Sequence, residues 1–258
     1  MTDIVSTAWV ADRLGDVHLV DVRDAWEYEG IGHLPGAVSI PFDSFRASEG
    51  DDGMLPGEDV FADLLSDAGI APEDDIVAYD DTHGVFAARF LVTAELYGHD
   101  PDRLHLLDGD FSAWQRDHPT TDEVPDVTPT AYEIERPAES TLVGREAVAA
   151  AIDTDAVIVD TRERREYEAG HIPGAVQVDW RDLVDDETRG IKPREEIEAI
   201  LEPKGITPES RIVLYCNTAR RISHTYVVLQ HLGYRDLAFY EGSLTEWEAA
   251  GQPIETAE

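Results

Sequence analysis

The sequence predicts an α/β protein made of two similar domains, each a small parallel β-sheet flanked by helices on both faces. Short β-rich runs alternate with helical stretches along the chain, which is typical of a parallel sheet covered by helices. A set of short segments recurs in the same order in the two halves, which predicts two copies of one fold. The length of 258 residues gives each copy enough chain for a hydrophobic core of its own.

The repeat consists of four matched pairs of segments. Each half carries a β-rich run ending in Asp-x-Arg, a Glu-Tyr followed by Gly-His-Leu/Ile-Pro-Gly-Ala, an apolar strand, and a closing segment that ends in tryptophan. The pairs are 19–23 with 158–162, 27–38 with 166–176, 75–79 with 211–215, and 107–114 with 240–247. We interpret the Pro-Gly turn as architectural, and His171 as a hydrogen-bonded structural residue because His33 matches it.

Local patterns place the elements along the chain. In the first half, Ser6 is the predicted N-cap of a helix that continues to Arg13. In the second half, we predict strands near 156–160, 176–178, 211–215 and 237–240, and helices near 144–152, 194–201, 221–232 and 243–250. A polar stretch with several prolines separates the halves. We therefore predict domains over 1–124 and 140–258, joined by a linker over 125–139.

The chain is strongly acidic. Its formal net charge is −35, from 55 acidic and 20 basic residues, and the acids are spread along the whole sequence. This predicts a hydrated surface suited to a cytoplasm of very high salt, as in a halophilic archaeon, and self-repulsion in dilute buffer. No basic stripe is available to meet phosphates, so nucleic-acid binding is not expected. A DNA mimic or calcium buffer is the rival explanation, which the lack of an Asp-x-Asp-x-Asp-Gly loop disfavours.

The N-terminal sequence shows neither the basic region nor the apolar segment of a signal peptide. No run approaches the roughly 18 apolar residues that a membrane span needs. We expect a cytoplasmic protein that makes no membrane contact.

The only cysteine, Cys216, lies where a thiolate nucleophile would be built. It ends a short apolar strand, a polar loop follows over 217–221, and a helix is predicted after the loop. Backbone N–H groups and the positive end of a helix dipole favour a reactive thiolate at such a position. The alternative is a buried cysteine that acts as a small hydrophobic residue. The adjacent Arg220 and Arg221 are difficult to explain as core residues, so we favour the functional interpretation.

The matching loop of the first half differs in charge. Pairing the strand ends places Asp80 opposite Cys216, and residues 80–85 opposite residues 216–221. The first loop offers an acidic pair and no arginine, whereas a thiolate loop needs cation or N–H support. We therefore predict that the first domain is catalytically inactive. A weak alternative is that Asp80 acts as a general base.

These features together resemble a tandem-domain rhodanese, that is, a thiosulfate sulfurtransferase. The resemblance covers nearly all of the chain and depends on the two Asp-x-Arg ends, the two Gly-His-x-Pro-Gly-Ala turns, the Cys216 loop and the closing segment 241–247. Such enzymes are similar in keeping a catalytic cysteine only in the C-terminal domain. The resemblance implies that Cys216 takes a sulfane sulfur to form a persulfide and then passes it to a thiophilic acceptor.

The loop residues fit that chemistry. Loop N–H groups would hold the persulfide anion, and the arginines would attract a dianionic donor or hold its sulfonate. At least one arginine is expected to pin the loop to an acid such as Asp160, beside Arg162 as a second supporting residue. Thr218 would donate its hydroxyl to sulfur, or simply lie on the surface. The predicted substrate-binding residues are Arg220, Arg221, Asn217, Thr218 and Ala219.

Two departures from the family pattern stand out. Animal members carry a further arginine a few residues after Asp-x-Arg, where this chain has Glu166 or a neighbour. The cysteine loop also differs from the animal patterns and looks more like the Cys-Arg-x-Gly-Glu-Arg loop of many prokaryotic members. His224, in the first turn of the following helix, is interpreted as a packing or capping residue.

Three alternatives remain at this stage. A cysteine phosphatase needs five residues between cysteine and arginine, whereas here three and four intervene, which favours sulfur over phosphate chemistry. A 3-mercaptopyruvate sulfurtransferase is the closest rival, modestly disfavoured by two arginines that suit the more highly charged thiosulfate. A non-catalytic persulfide carrier or binding module would use the same Cys216 intermediate.

Neither a metal nor an organic cofactor is expected. The histidines show no ligand spacing with the lone cysteine, and no glycine-rich phosphate loop follows a strand. The expected partners are a small-molecule sulfur donor and a thiophilic acceptor, with a sulfur-accepting protein as a further candidate.

Overall fold

The computed structural model describes residues 1–47 and 54–257. Two compact units are present, the first formed by Met1–Ala138 with Asp185–Ile191 and the second by Glu139–Val184 with Lys192–Glu258. Most of the predicted linker belongs to the first unit, where the Thr130 and Tyr132 N–H groups donate to Ser66 at 3.0 and 2.9 Å. The inactivity of the first domain stays a prediction.

The first unit contains a five-stranded sheet in which every pair of neighbouring strands is parallel. The strands are β1 (Asp3–Val5), β2 (His18–Asp21), β3 (Val38–Ser39), β4 (Ile76–Tyr79) and β5 (Leu104–Leu107), in the order β1-β5-β4-β2-β3. The helices are α1 (Thr7–Ala11), α2 (Ala25–Gly30), α3 (Glu58–Asp67), α4 (Val85–Leu96) and α5 (Asp110–Asp117). The Ser6 side chain accepts the Trp9 N–H at 3.2 Å, which confirms the predicted N-cap.

The second unit contains a four-stranded sheet, also parallel throughout. The strands are β6 (Val157–Asp160), β7 (Val176–Gln177), β8 (Ile212–Tyr215) and β9 (Leu237–Phe239), in the order β7-β6-β8-β9. The helices are α6 (Arg145–Ala151), α7 (Arg164–Ala169), α8 (Arg194–Leu201), α9 (Arg220–His231) and α10 (Ser243–Ala249). Every predicted element of this half is present with its ends within one residue; α7 was not predicted.

Alternating side chains of the second sheet bury its two faces separately. Ile158, Val213 and Tyr215 pack in one cluster with Trp247 of α10. Phe239 of β9 contacts Tyr226 of α9, with ring centroids 5.7 Å apart. Helices therefore flank the sheet on both sides, as the sequence predicts. Because the strands are parallel, the residues that follow their carboxyl ends meet at one edge of the sheet.

The repeated histidines are structural. His171 is buried, and its Nδ1 lies 2.8 Å from the Tyr167 carbonyl oxygen. Its ring stacks on that of Tyr167 with centroids 3.8 Å apart. His33 makes the same stack and backbone contact with Tyr28 in the first unit. The structural interpretation of His171 is confirmed.

No helix within residues 1–47 and 54–257 has both the length and the apolar character that a bilayer span requires.

Candidate active site

Cys216 follows β8 directly and opens the loop that leads into α9. Only 2 % of its surface is exposed. The loop ends at Ala219, the N-cap of α9, which has a left-handed backbone with φ of 66°. Residues other than glycine rarely adopt this backbone conformation, so tertiary contacts must hold it in place. The turn places the sulfur-bearing residue at the N-terminus of a helix.

The closing segment 241–247 fixes the backbone of the loop. The Cys216 N–H donates to Ser243 Oγ at 3.1 Å, and the Leu244 N–H donates to the Cys216 carbonyl at 3.0 Å. Thr245 donates its hydroxyl to the Asn217 carbonyl at 2.9 Å. Ser243 is fully buried and donates in turn to the Tyr240 carbonyl at 2.9 Å. The repeat of this segment was visible in the sequence, but its contact with Cys216 was not.

The counterpart loop in the first unit is one residue longer than the cysteine loop. Gly84, the N-cap of α4, lies four residues after Asp80, whereas Ala219 lies three residues after Cys216. The gap-free pairing of 80–85 with 216–221 is therefore wrong at its helical end. The pattern of residue types could not show this, because both loops begin at the same point after a strand.

The Asp80 carboxylate fills the first loop. Oδ1 accepts the Thr82 and Gly84 N–H groups at 2.7 and 2.8 Å, and Oδ2 accepts those of Phe86 and Ala87 at 2.7 and 3.0 Å. Burial raises the pKa of Asp80 above its ordinary value, against the loop hydrogen bonds that lower it. Both oxygens are occupied, which argues against Asp80 as a general base.

In the second unit, the backbone N–H groups at the second and third positions of the helix can donate to an anion. Phe86 and Ala87 are the second and third residues of α4, and Arg221 and Ile222 hold these positions in α9. Among the residues that the structure describes, neither the Arg221 nor the Ile222 N–H donates to a protein oxygen or nitrogen. A negatively charged sulfur on Cys216 would meet donors where the first unit supplies its own carboxylate.

Arg221 is held by the acid Glu166, whereas Asp160, which the sequence offered as an example of such an acid, is bound by Arg162. Its Nη1 donates to Glu166 Oε2 at 2.5 Å, and Asn217 Nδ2 donates to Glu166 Oε1 at 3.0 Å. Burial raises the pKa of Glu166, but the Arg221 and Asn217 bonds and the Glu163 N–H outweigh it and lower the pKa overall. Burial lowers the pKa of Arg221, but Glu166 and Cys216 raise it overall.

Asp160 and Arg162 form a buried pair beneath the loop. Arg162 donates to Asp160 from Nε at 2.9 Å and from Nη2 at 2.6 Å, and Tyr215 donates its hydroxyl to Asp160 at 2.8 Å. Burial raises the pKa of Tyr215, which keeps it a neutral donor. Arg162 also donates to Asn217 Oδ1 at 3.3 Å and to the Gly170 carbonyl at 2.6 Å. The pair therefore supports the loop through Asn217.

The structure thus groups Cys216, Asn217, Arg221 and the Asp160–Arg162 pair. Arg220 begins α9 with a partly buried side chain, Thr218 is exposed, and Ala219 is buried. His224 is buried against Trp180, with ring centroids 5.2 Å apart, as expected of a packing residue. The substrate-binding roles of these loop residues stay predictions.

Comparison with known proteins identifies the family. The model of the rhodanese-like domain matches residues 6–117 and again residues 145–250. The chain belongs to the rhodanese family. The first match covers β2 to β5 and the second covers β6 to β9, so each unit is a rhodanese-like domain.

Rhodanese relatives are similar along the whole chain. A thiosulfate sulfurtransferase of Pseudomonas aeruginosa is 32% identical over 263 residues, which cover 95% of this chain and 93% of that protein. The sulfur carrier protein TtuD of Thermus thermophilus is 33% identical over 282 residues, covering 99% of this chain and 97% of TtuD. The crystal structure of the 3-mercaptopyruvate sulfotransferase SseA of Escherichia coli superposes with a TM-score of 0.81 at 24% identity, covering 94% of this chain and 99% of SseA. The SseA likeness establishes a shared fold.

Within residues 1–47 and 54–257, no group of three or more histidine, cysteine or acidic side chains is arranged to hold a metal ion. The expectation that this rhodanese needs no metal or organic cofactor stays a prediction.

Proposed function

We propose that this protein is a thiosulfate sulfurtransferase that carries sulfur on Cys216. The chain is a sulfurtransferase of the rhodanese family; the choice of thiosulfate and the role of Cys216 are the proposal. The observation that carries it is the position of the chain's single thiol, which follows β8, begins the loop into α9 and interacts electrostatically with Arg221. The names of relatives at about one-third identity support the same donor.

The proposed first step transfers one sulfur atom. The Cys216 thiolate attacks the outer sulfur of thiosulfate, forming a new S–S bond. The S–S bond of thiosulfate breaks, and its electron pair leaves with sulfite. The outer sulfur of the resulting persulfide is then attacked by a thiophilic acceptor, such as cyanide or a thiol, which restores the Cys216 thiolate. No external oxidant or reductant is required.

The loop supplies the groups that this step needs. The N–H groups of Arg221 and Ile222, the second and third residues of α9, would stabilise negative charge on the terminal sulfur. The Arg221 guanidinium attracts an anionic donor, and electrostatic support from Arg220 is proposed beside it. These local groups matter more than long-range attraction, because a net charge of −35 repels anions and molar salt screens it within about 3 Å.

A persulfide carrier is the second candidate function. The observation that favours it is the likeness to TtuD, a protein named as a sulfur carrier, along nearly the full length of both chains. In that role Cys216 would form the same persulfide and deliver it to a sulfur-accepting protein. The two functions differ in whether a small acceptor supports turnover.

Steady-state turnover with small molecules tests the proposal. We expect thiocyanate to form from thiosulfate and cyanide in molar KCl, with sulfite released in equal amount. We also expect kcat/KM to be higher for thiosulfate than for 3-mercaptopyruvate. Higher kcat/KM for 3-mercaptopyruvate would overturn the donor assignment, and the absence of turnover by folded protein with either donor would favour the carrier.

A further inference from the structure

Glu166 binds two residues of the cysteine loop at once. Its Oε2 accepts Arg221 Nη1 at 2.5 Å and its Oε1 accepts Asn217 Nδ2 at 3.0 Å. The side chains of Glu166 and Arg221 are 23% and 21% exposed, so solvent screens the pair only in part. One carboxylate therefore joins the helix α7 to both the start of the loop and the start of α9.

Helix capping alone does not explain these contacts. Glu166 closes a capping box at the start of α7, where the Glu163 N–H donates to Oε2 at 3.1 Å. Glu27 closes the same box in α2, and there the Asp24 N–H donates to Oε2 at 3.2 Å. The loop of the first unit, 80–84, contains no arginine for Glu27 to bind. The contact with a loop arginine is thus specific to the unit that carries the cysteine.

The charge of Glu166 acts against that of Arg221. The Arg221 guanidinium interacts electrostatically with both Cys216 and Glu166. The carboxylate fixes the direction of the guanidinium and also offsets part of the attraction that the guanidinium exerts on an anion at the sulfur. Glu166 contacts Arg221 and Asn217, and Arg221 in turn interacts electrostatically with Cys216, so both effects can act on the reacting sulfur through Arg221.

We propose that Glu166 is a positioning residue that holds Arg221 and Asn217 and sets how strongly the site attracts anionic donors. Its carboxylate limits the preference for donors of higher negative charge. The proposal rests on the proposed function for its choice of donors, but its charge effect concerns any anion that reaches Cys216.

Alkylation of the single cysteine measures this charge without any sulfur donor. Iodoacetate is an anion and iodoacetamide is neutral, while both react with the same thiolate. The ratio of their rates therefore reports the local charge and not the fraction of thiolate. Glu166→Gln keeps an acceptor for Arg221 and removes the negative charge. We expect the iodoacetate-to-iodoacetamide ratio to rise about threefold in 1 M KCl, as expected for loss of one partly screened charge nearby.

Donor kinetics provide the second readout. Thiosulfate carries two negative charges and 3-mercaptopyruvate carries one at neutral pH. In Glu166→Gln we expect KM to fall about threefold for thiosulfate and by a smaller factor for 3-mercaptopyruvate, with kcat within about twofold of the wild type. If neither donor supports turnover, the proposed function fails while the alkylation ratio still tests Glu166.

Three further variants separate charge from structure. Glu27→Gln makes the same change in the capping box of the first unit and is expected to leave the ratio unchanged. Glu166→Asp keeps the charge and is expected to keep the wild-type ratio. In an Arg221→Gln background, Glu166→Gln is expected to change the ratio by less than about 1.5-fold, since the effect acts through Arg221. An unchanged ratio in folded Glu166→Gln, or an equal rise without Arg221, would overturn the proposal.

Discussion

Replacing Cys216 by alanine is expected to abolish thiosulfate-dependent thiocyanate formation, with a loss of at least about 10³-fold in kcat/KM. No other thiol exists in the chain, so no second residue can form a persulfide. The side chain is small and 2 % exposed, and the backbone contacts of the loop do not involve its sulfur. The variant should therefore fold, and its turnover can be compared directly with that of the wild type.

Cys216→Ser is the matched variant for this experiment. It keeps the size and shape of the side chain but offers a hydroxyl in place of the thiol. We expect it to be as inactive as Cys216→Ala, with a thermal unfolding midpoint close to that of the wild type in molar KCl. Retention of more than about one-tenth of the wild-type kcat/KM by either variant would contradict the role of Cys216 as the nucleophile.

The second large effect is expected at Asp80. Asp80→Ala leaves four N–H groups at the start of α4 without their acceptor in a buried loop. Losing the acceptor is expected to lower the free energy of unfolding by about 3 kcal/mol or more. For a domain of this size the thermal midpoint would fall by about 6 °C or more. Melting followed by circular dichroism in molar KCl measures the shift.

An exposed acid gives the control for Asp80. Asp59→Ala removes the same charge from the surface of α3 and is expected to change the free energy of unfolding by about 0.5 kcal/mol or less. Asp80→Asn keeps one carbonyl oxygen as an acceptor. Its thermal midpoint should therefore lie between those of Asp59→Ala and Asp80→Ala. Equal midpoints for Asp80→Ala and Asp59→Ala would show that the carboxylate does not stabilise the loop.

The sequence predicted most of the second unit because its elements have strong local signals. The strand that ends at Asp160 and the strand before Cys216 are short apolar runs with clear ends, and Gly233 stops the helix that follows the cysteine loop. The internal repeat then supplied the pairing of elements between the halves. Helix α7 lacks such a signal, since five of its six residues are charged or aromatic and only a capping box marks its start.

Contacts between distant residues were harder to predict. Asp160 is bound by Arg162, two residues away, and so is not available to Arg221. The acid that binds Arg221 is Glu166, 55 residues earlier in the chain. The sequence does single out the position of Glu166, because animal members of the family carry an arginine near it and this chain has a glutamate. Its partner depends on how α7 and α9 pack, which residue types alone do not encode.

The backbone geometry of individual loop residues could not be predicted from the sequence either. Nothing in the residue types of the two loops shows that the Asp80 loop is one residue longer, or that Asp80 accepts four N–H groups. The left-handed residues Ala219 and Ser243 have φ of 66° and 52° without being glycine. Such exceptions to local preference are common at functional sites, where surrounding contacts hold them.

The most direct test of the account is the mass of the protein after exposure to thiosulfate alone. We expect folded wild-type protein to gain the mass of one sulfur atom, located on Cys216 by peptide mapping, and to release an equal amount of sulfite. Added cyanide should remove that sulfur as thiocyanate, and Cys216→Ala should gain none. Folded wild-type protein that gains no sulfur, or a Cys216→Ala variant that gains it, would contradict transfer through a Cys216 persulfide.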